Sequence, residues 1–165
     1  PQLKPAFGAQ GTITAASSAS ISDGAAALVL CRESTARQRG WSPLARIVAH
    51  STHAAEPERF PSAPVGAMVG LMQRTGWSDS DIDLYEINEA FAVVTLIAQQ
   101  TLGLSADKVN VHGGACALGH PIGATGARIM VSLLHALRQR GLRRGVASLC
   151  IGGGEATAIA LERLD

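Results

Sequence analysis

The sequence predicts an α/β protein that consists of one five-stranded mixed sheet with helices on both faces. From residue 44 onward, short apolar runs alternate with longer segments of helical periodicity in the order β-α-β-α-β-α-β-β. This alternation is typical of layered α/β units with a mostly parallel sheet. The chain has 165 residues, of which 47% are hydrophobic and 16% charged. That composition provides enough apolar surface for a core and excludes a disordered, charge-rich chain.

The first forty residues are predicted to hold few regular elements. A loop rich in Gly, Ala, Ser and Thr leads into a short apolar run, which is followed by a polar helix that ends at Gly40. These elements are the loop 1–24, a buried strand at Ala25–Cys31 and a helix at Glu33–Arg39. The composition changes around Trp41, which predicts a boundary that separates residues 1–40 from residues 41–165.

Five strands and three long helices are predicted in the second part. The strands are short apolar runs, at Leu44–Ser51, Asp83–Ile87, Val109–Val111, Val146–Ile151 and Ala156–Leu161. The helices have apolar residues at helical spacing, at Pro64–Gly76, Glu89–Leu102 and Ile122–Arg140. Three consecutive glycines separate the last two strands, which predicts a hairpin.

Charge and hydropathy disfavour several classes of protein. Lys and Arg together number 14 against 13 Asp and Glu, and no basic stripe recurs, so we expect no nucleic-acid partner. No apolar run reaches 18 residues and no signal peptide opens the chain, so we expect a cytoplasmic protein without membrane contact. The three cysteines do not suggest a disulfide framework.

Three segments combine glycines with one chemically useful side chain near the end of a predicted strand. The side chains are Asn88, His120 and Cys150. Ligands bind at the carboxyl ends of strands in α/β folds, so we expect the three to meet around one ligand. A structural alternative stays open for each: Asn88 as a helix N-cap, His120 as a buried histidine bonded to a carbonyl, and Cys150 as a small core residue.

The chemistry of these segments favours acid–base and thiol reactions over metal or phosphate binding. A histidine titrates near neutral pH, and the glycines after Cys150 leave backbone N–H groups free to stabilise an oxyanion. The spacing of His112, Cys116 and His120 fits no zinc motif and no Cys-x-x-Cys occurs, so we predict no metal. The glycine patterns of nucleotide phosphate loops are also missing.

Four segments of the chain resemble the carboxyl-terminal half of the thiolase family, the acetyl-CoA C-acyltransferases. They are GTITAASSASISDGAAALVL, EINEAFA, NVHGGACALGHPIGATGARI and LCIGGGEATAIALERL. They occur in the family's order and extend over nearly the whole chain. Any one of NEAF, GHPIG and CxGGG alone is a weak signal, but their combination is highly specific.

The resemblance implies a fold built from two similar β-α-β-α-β-α-β-β halves, with a loop domain inserted in the first. Residues 1–19 match the tail of that loop domain, and residues 20–40 match the last elements of the first half. Residues 42–165 match the complete second half, which agrees with the element order derived above from the residues.

The resemblance also implies an acyl transfer between CoA thioesters, by condensation to a 3-ketoacyl-CoA or by its CoA-dependent cleavage. In this family a cysteine accepts the acyl group, and no part of residues 1–40 matches its segment. His120 matches the histidine that activates that cysteine, and Cys150 matches the cysteine that exchanges the α-proton. Asn88 matches the residue that holds an oxyanion-hole water, and Gly152 matches a backbone donor to the acyl-enzyme oxygen.

The family's binding and assembly properties give further expectations. Four residues match positions that contact the pantetheine arm of CoA: Phe7, Ala15, Ala90 and Phe91. The resemblance implies no cofactor beyond the CoA thioester substrates, the N-terminal half of the same protein as a partner, and a homodimer or homotetramer. Two alternatives stay open, a non-catalytic self-associating domain and a 3-ketoacyl synthase. Such synthases usually carry a second histidine where this chain has Asn88.

Overall fold

The computed structural model describes residues 2–164, in which four strands form one mixed sheet. The strands are β1 (Ala45–Ala54), β2 (Leu84–Ile87), β3 (Arg144–Ile151) and β4 (Glu155–Arg163). Their order across the sheet is β1-β4-β3-β2. β2 and β3 are parallel, whereas β4 is antiparallel to both of its neighbours. The predicted hairpin is therefore confirmed as β3 and β4.

The helices lie on both faces of the sheet, as predicted. They are α1 (Glu33–Arg39), α2 (Ala63–Thr75), α3 (Ala92–Leu102), the short α4 (Ala115–Leu118) and α5 (Thr125–Gln139). Short 3₁₀ turns occur at Ala15–Ser17, Pro57–Ser62, Asp79–Asp81 and Ala106–Lys108. Among the residues that the structure describes, no helix has the length and apolar character needed to cross a membrane.

Two apolar clusters hold the layers together, one on each face of the sheet. Tyr85 and Ile87 of β2 pack in the cluster that includes α2 and α3. Leu84 packs in the other cluster, against α5 residues such as Leu133. Because side chains alternate along a strand, Glu86 projects to the α5 face. The sheet thus aims one acidic side chain of β2 at α5.

The predicted fifth strand at Val109–Val111 is wrong. Val109 forms only a single parallel bridge with Tyr85. At Asn110 the backbone turns to a φ of 48°, and its side chain takes over the pairing. Asn110 Oδ1 accepts the Ile87 N–H at 2.8 Å, and Asn110 Nδ2 donates to the Ile87 carbonyl at 2.8 Å. An asparagine side chain thus occupies the edge of β2 where a fifth strand was expected, and the sheet has four strands.

The predicted buried strand at Ala25–Cys31 is also wrong. This segment lies outside regular secondary structure, with Val29 90% exposed and Leu30 66% exposed. No strand in residues 2–164 pairs with it. Its apolar run is typical of a strand, but a run of this kind is buried only where a partner covers it.

Candidate active site

Asn88 and Cys150 lie at the same edge of the sheet because their strands are parallel neighbours. Asn88 directly follows β2, and its backbone N–H donates to the carbonyl of Ser148 on β3 at 2.9 Å. Cys150 follows Ser148 by two residues, near the end of β3. The carboxyl ends of both strands therefore open onto one region, where α/β folds bind ligands.

His120 reaches this region from the turn between α4 and α5. Its backbone N–H donates to the carbonyl of Ser20 at 3.0 Å. The preceding Gly119 has a φ of 92°, and a Cβ there would lie 2.3 Å from the Ser22 hydroxyl oxygen. Only glycine fits this backbone and this contact, which brings the segment around Ser20 against the histidine turn.

A line of side-chain hydrogen bonds fixes the tautomer of His120. The Thr125 hydroxyl donates to the Pro121 carbonyl at 2.9 Å, so its oxygen is left to accept from His120 Nδ1 at 2.7 Å. Nδ1 therefore carries the proton, and in the neutral ring Nε2 is an unprotonated acceptor. Asn88 Nδ2 approaches this atom at 3.5 Å. The ring is thus held with its basic nitrogen toward Asn88.

The orientation of Asn88 follows from a second contact. Arg128 Nη2 on α5 donates to Asn88 Oδ1 at 3.4 Å, so the amide nitrogen faces His120. The structure does not use Asn88 as a helix cap, because α3 begins at Ala92 with Phe91 as its N-cap. The ring nitrogens of His120 likewise contact side chains and not a carbonyl. For these two residues the structural alternatives raised by the sequence are wrong.

The electrostatic setting keeps His120 neutral. Burial lowers the pKa of His120, and the Arg128 guanidinium lowers it further. Both effects disfavour the imidazolium form, so the ring is unprotonated at neutral pH. A neutral histidine whose Nε2 is unprotonated can accept a proton from a thiol.

Cys150 is in a different setting. Its side chain is 8% exposed and belongs to the apolar cluster that includes α2 and α3, and burial raises the pKa of its thiol. His120 is held by Thr125 at the start of α5, on the other face. In the described part of the chain, no hydrogen bond links the Cys150 thiol to His120 or Asn88. Their convergence over the edge of the sheet stays a prediction.

Gly152 and Gly153, which follow Cys150 and Ile151, lie in an exposed turn. A Cβ built on Gly152 would meet no atom within 4 Å, so space is open beside its backbone. This accessibility is compatible with a backbone N–H that donates to a ligand. The role of Gly152 as an oxyanion donor stays a prediction.

The four residues matched to the pantetheine arm fall into two neighbouring segments. The ring of Phe7 meets the ring of Phe91 edge-on, with centroids 5.8 Å apart. The Ala19 N–H donates to the Ala90 carbonyl at 3.1 Å, which joins the segment after Ala15 to the turn before α3. Phe7 remains 62% exposed, so an apolar surface is open to a ligand. Contact with CoA stays a prediction.

The sequence analysis missed three polar residues of this site: Glu86, Thr125 and Arg128. Thr125 is 1% exposed and Glu86 is 3% exposed, which is rare for such side chains. The sequence held a local signal for Glu86 and the helical spacing of the other two, but not their contacts. Glu86 interrupts the apolar run of β2, and Arg128 follows Thr125 by three residues on a helix, so both face the same way.

The Glu86 carboxyl group has a raised pKa. Burial raises the pKa of Glu86 to about 7, the Arg128 charge opposes that rise, and the Glu89 carboxylate adds to it. The unfolded carboxyl group loses its proton near its ordinary value of 4.5. Between these two values the folded state binds more protons than the unfolded state, so stability falls as the pH rises.

We predict that Glu86 makes the protein less stable at pH 7 than at pH 5. The free energy of unfolding should fall by about 3 kcal/mol at most over that interval, since one pKa unit corresponds to about 1.4 kcal/mol. Urea denaturation of wild type and Glu86→Gln at several pH values measures this contribution. The pKa of His120 is lowered and gives the opposite trend, so only the difference between the two proteins is decisive. Parallel curves for wild type and Glu86→Gln would contradict the prediction.

Two models of known protein families match the sequence of this chain. The model described as "Thiolase, C-terminal domain" matches residues 41–163, and "Thiolase, N-terminal domain" matches residues 1–34.

In residues 2–164 no group of three or more His, Cys, Asp or Glu side chains is placed to hold a metal ion.

Curated relatives and solved structures agree with these models. An acetyl-CoA acetyltransferase of Escherichia coli is 50% identical over 99% of this chain and 41% of its own length. The cytosolic acetyl-CoA acetyltransferase of mouse is 48% identical over 98% of this chain and 41% of its own. The crystal structure of the Bacillus anthracis acetyl-CoA acetyltransferase has a TM-score of 0.96 at 47% identity, with 99% of this chain and 41% of that one covered.

A human mitochondrial 3-ketoacyl-CoA thiolase solved in complex with CoA has a TM-score of 0.91 at 38% identity. The matched region covers 99% of this chain and 42% of the human chain. The chain therefore spans about two fifths of the length of the proteins it matches. The C-terminal model alone matches well over half of the residues of this chain. The chain therefore belongs to the thiolase family.

Proposed function

We propose that this chain is the carboxyl-terminal part of a thiolase that transfers acyl groups between CoA thioesters. One observation carries the proposal: the hydrogen-bonded line of Thr125, His120 and Asn88 presents a neutral imidazole nitrogen at the carboxyl ends of the parallel strands. A thiol nucleophile needs such a base, because the thiolate and not the thiol attacks a carbonyl carbon.

In the first step, His120 Nε2 takes the proton of a cysteine that attacks the thioester carbonyl. The new sulfur–carbon bond forms, the bond to the CoA sulfur breaks, and His120 returns the proton to the leaving CoA thiolate. The burial that keeps His120 neutral supports its role as the acceptor.

In the second step, Cys150 exchanges the α-proton of a second acyl-CoA. For condensation, Cys150 passes its own proton to His120 and then takes the α-proton, and the resulting carbanion attacks the acyl carbon. The nucleophilic cysteine leaves with the proton from His120. In cleavage the same transfers run backward, and Cys150 protonates the departing carbanion. Burial keeps the Cys150 thiol protonated, which is the state that cleavage requires.

Negative charge develops on the thioester oxygen in both steps and needs donors aimed at it. Asn88 Nδ2, by way of a water molecule, and the backbone N–H of Gly152 are the proposed donors. Asn88 is 1% exposed and its amide is already oriented, so the side chain needs little rearrangement when the charge develops on the thioester oxygen. The exposed turn at Gly152 leaves space for the acyl oxygen.

The pantetheine arm of CoA is proposed to lie along Phe7, Ala15, Ala90 and Phe91. The edge-on contact of Phe7 with Phe91 provides an apolar surface that is already formed. We propose CoA thioesters as substrates and no additional cofactor. A cytoplasmic location is part of the same proposal, and the name of the mouse relative includes the word cytosolic.

The nucleophile is proposed to lie outside this chain, in the N-terminal half of the same protein. The exposed apolar segment around Val29 and Leu30 supports this, because it is a surface that a second half can cover. In this view residues 1–40 complete the first half, and residues 41–165 form the second. A homodimer or homotetramer of the whole protein belongs to the same proposal.

The proposal predicts that the full-length protein cleaves acetoacetyl-CoA in the presence of CoA. This substrate is chosen because curated relatives of the chain, such as those of Thiocystis violacea and Escherichia coli, are named acetyl-CoA acetyltransferases. Loss of the 3-ketoacyl-CoA and formation of two acetyl-CoA molecules are followed by chromatography. Full-length protein that is folded and binds CoA but yields no acetyl-CoA would contradict the proposed reaction and favour the non-catalytic alternative.

A further inference from the structure

Two charged groups beside the site, the buried Glu86 and the half-buried Arg128, have buried polar atoms without partners. In the described residues, no hydrogen bond is made by Glu86 Oε1 or by the Nε and Nη1 atoms of Arg128, and all three atoms are buried. In the same part of the chain, the side-chain hydrogen bond of Arg128 runs from Nη2 to Asn88 Oδ1 at 3.4 Å. An arginine paired with a carboxylate frequently binds it through two parallel hydrogen bonds. Here the Arg128 guanidinium donates instead to the uncharged amide of Asn88.

We propose that Arg128 is a positioning residue that holds the Asn88 amide with its N–H group toward His120, and that Glu86 balances the Arg128 charge when it is ionised. This inference rests on the proposed function, because it assigns a task to residues that shape the thiolase site. It concerns neither the proton transfers nor the nucleophile.

The orientation of an amide is a choice between two similar states. With Oδ1 toward Arg128, Asn88 accepts from a cation and offers its N–H group to His120 Nε2. In the flipped state the N–H group would face the guanidinium donors, and Oδ1 would face the Nε2 lone pair. Both contacts would then be repulsive, so the arginine selects the orientation that leaves a donor available for an oxyanion water.

Glu86 lowers the free-energy cost of placing the Arg128 charge next to Asn88. It lies two residues before Asn88, so both project from the strand toward α5, where Arg128 is placed. Two of the Arg128 guanidinium nitrogens are buried, and withdrawing a charge from water costs free energy unless an opposite charge lies nearby. The Arg128 charge in turn lowers the pKa of Glu86, which shows that the two groups interact. β2 and the residue directly after it thus carry both the charge and the amide that lie against Arg128.

The test uses the full-length protein with Arg128→Met, which removes the cation and its donors. We expect the kcat for acetoacetyl-CoA cleavage to fall by about 10- to 100-fold, the range for small misplacements of catalytic groups, with KM changed far less. Arg128→Lys, which keeps the charge and one donor, should recover part of the rate. Arg138→Met is the matched control, because Arg138 is exposed on the same helix, and it should match wild type.

A double-mutant cycle separates positioning from a general structural effect. If Arg128 acts through Asn88, the variant Asn88→Ala with Arg128→Met should be no slower than Asn88→Ala alone. Multiplied losses in the double variant, or an unchanged kcat in Arg128→Met, would overturn the inference.

The ¹⁵N resonance of His120 Nε2 provides a readout that needs no activity. Arg128→Met should shift it in the same way as Asn88→Ala, because both variants remove the amide donor from that nitrogen. If the wild-type enzyme shows no turnover, the proposed function fails and this resonance still decides the positioning role. A resonance that moves in Asn88→Ala but not in Arg128→Met would overturn the inference.

Discussion

Full-length protein that carries His120→Ala is expected to lose acylation by acetyl-CoA, with the rate of acyl-enzyme formation reduced by about 1,000-fold. Without the imidazole, the nucleophilic thiol has no base to take its proton and stays in the unreactive form. The geometry supports this expectation, because Thr125 holds Nδ1 of His120 and leaves Nε2 as the basic atom. Mass spectrometry of the protein after brief incubation with acetyl-CoA measures the acylated fraction.

His112→Ala is the matched control for this variant. His112 is exposed, lies eight residues before His120 and has no proposed role. It should be acylated at the wild-type rate. Equal acylation of wild type and His120→Ala would remove His120 from the role of activating base.

Cys150→Ala is expected to separate the two steps of the reaction. The variant should still be acylated by acetyl-CoA, since the first step does not use Cys150. It should fail to form acetoacetyl-CoA from two acetyl-CoA molecules, with a loss of at least about 1,000-fold, because no group remains to exchange the α-proton. Mass spectrometry follows the first step, and chromatography of the CoA esters follows the second.

Cys116→Ala is the control for the loss of a thiol. Cys116 is half-buried, its sulfur contacts the Glu89 carbonyl at 3.8 Å, and it has no proposed role. It should retain both steps. If Cys150→Ala forms acetoacetyl-CoA at a rate near that of wild type, Cys150 is a core residue of the hairpin, which is the structural alternative that its burial also fits.

Local patterns in the sequence were sufficient to predict most of the fold. The helix Glu33–Arg39 has the predicted bounds, and the glycine turn does join two antiparallel strands. The failures have a common cause, since a strand depends on what lies beside it. The segment at Val109 meets an asparagine side chain in place of a continuing ladder, and Ala25–Cys31 has no neighbouring strand in the described residues.

The candidate site was predictable in its main residues but not in its connections. Glycines and strand ends indicated Asn88 and His120, and the structure brings these two within hydrogen-bond distance. Thr125 and Arg128 were missed because a threonine and an arginine on an amphipathic helix usually face solvent or pack without a specific task. Their contacts depend on how α5 crosses the end of β2, which no local pattern reveals.

The central claim is that this chain contributes the base and the proton-exchanging thiol of a thiolase site, whereas the nucleophile lies in the N-terminal half. The most direct measurement is peptide mapping by mass spectrometry after incubation with radiolabelled acetyl-CoA. It is applied to the isolated 165-residue chain and to the same chain within the full-length protein. We predict no acyl group on the isolated chain, and in the full-length protein one acyl group on a cysteine outside residues 1–165. Acylation of Cys116 or Cys150 in the isolated chain would contradict the account.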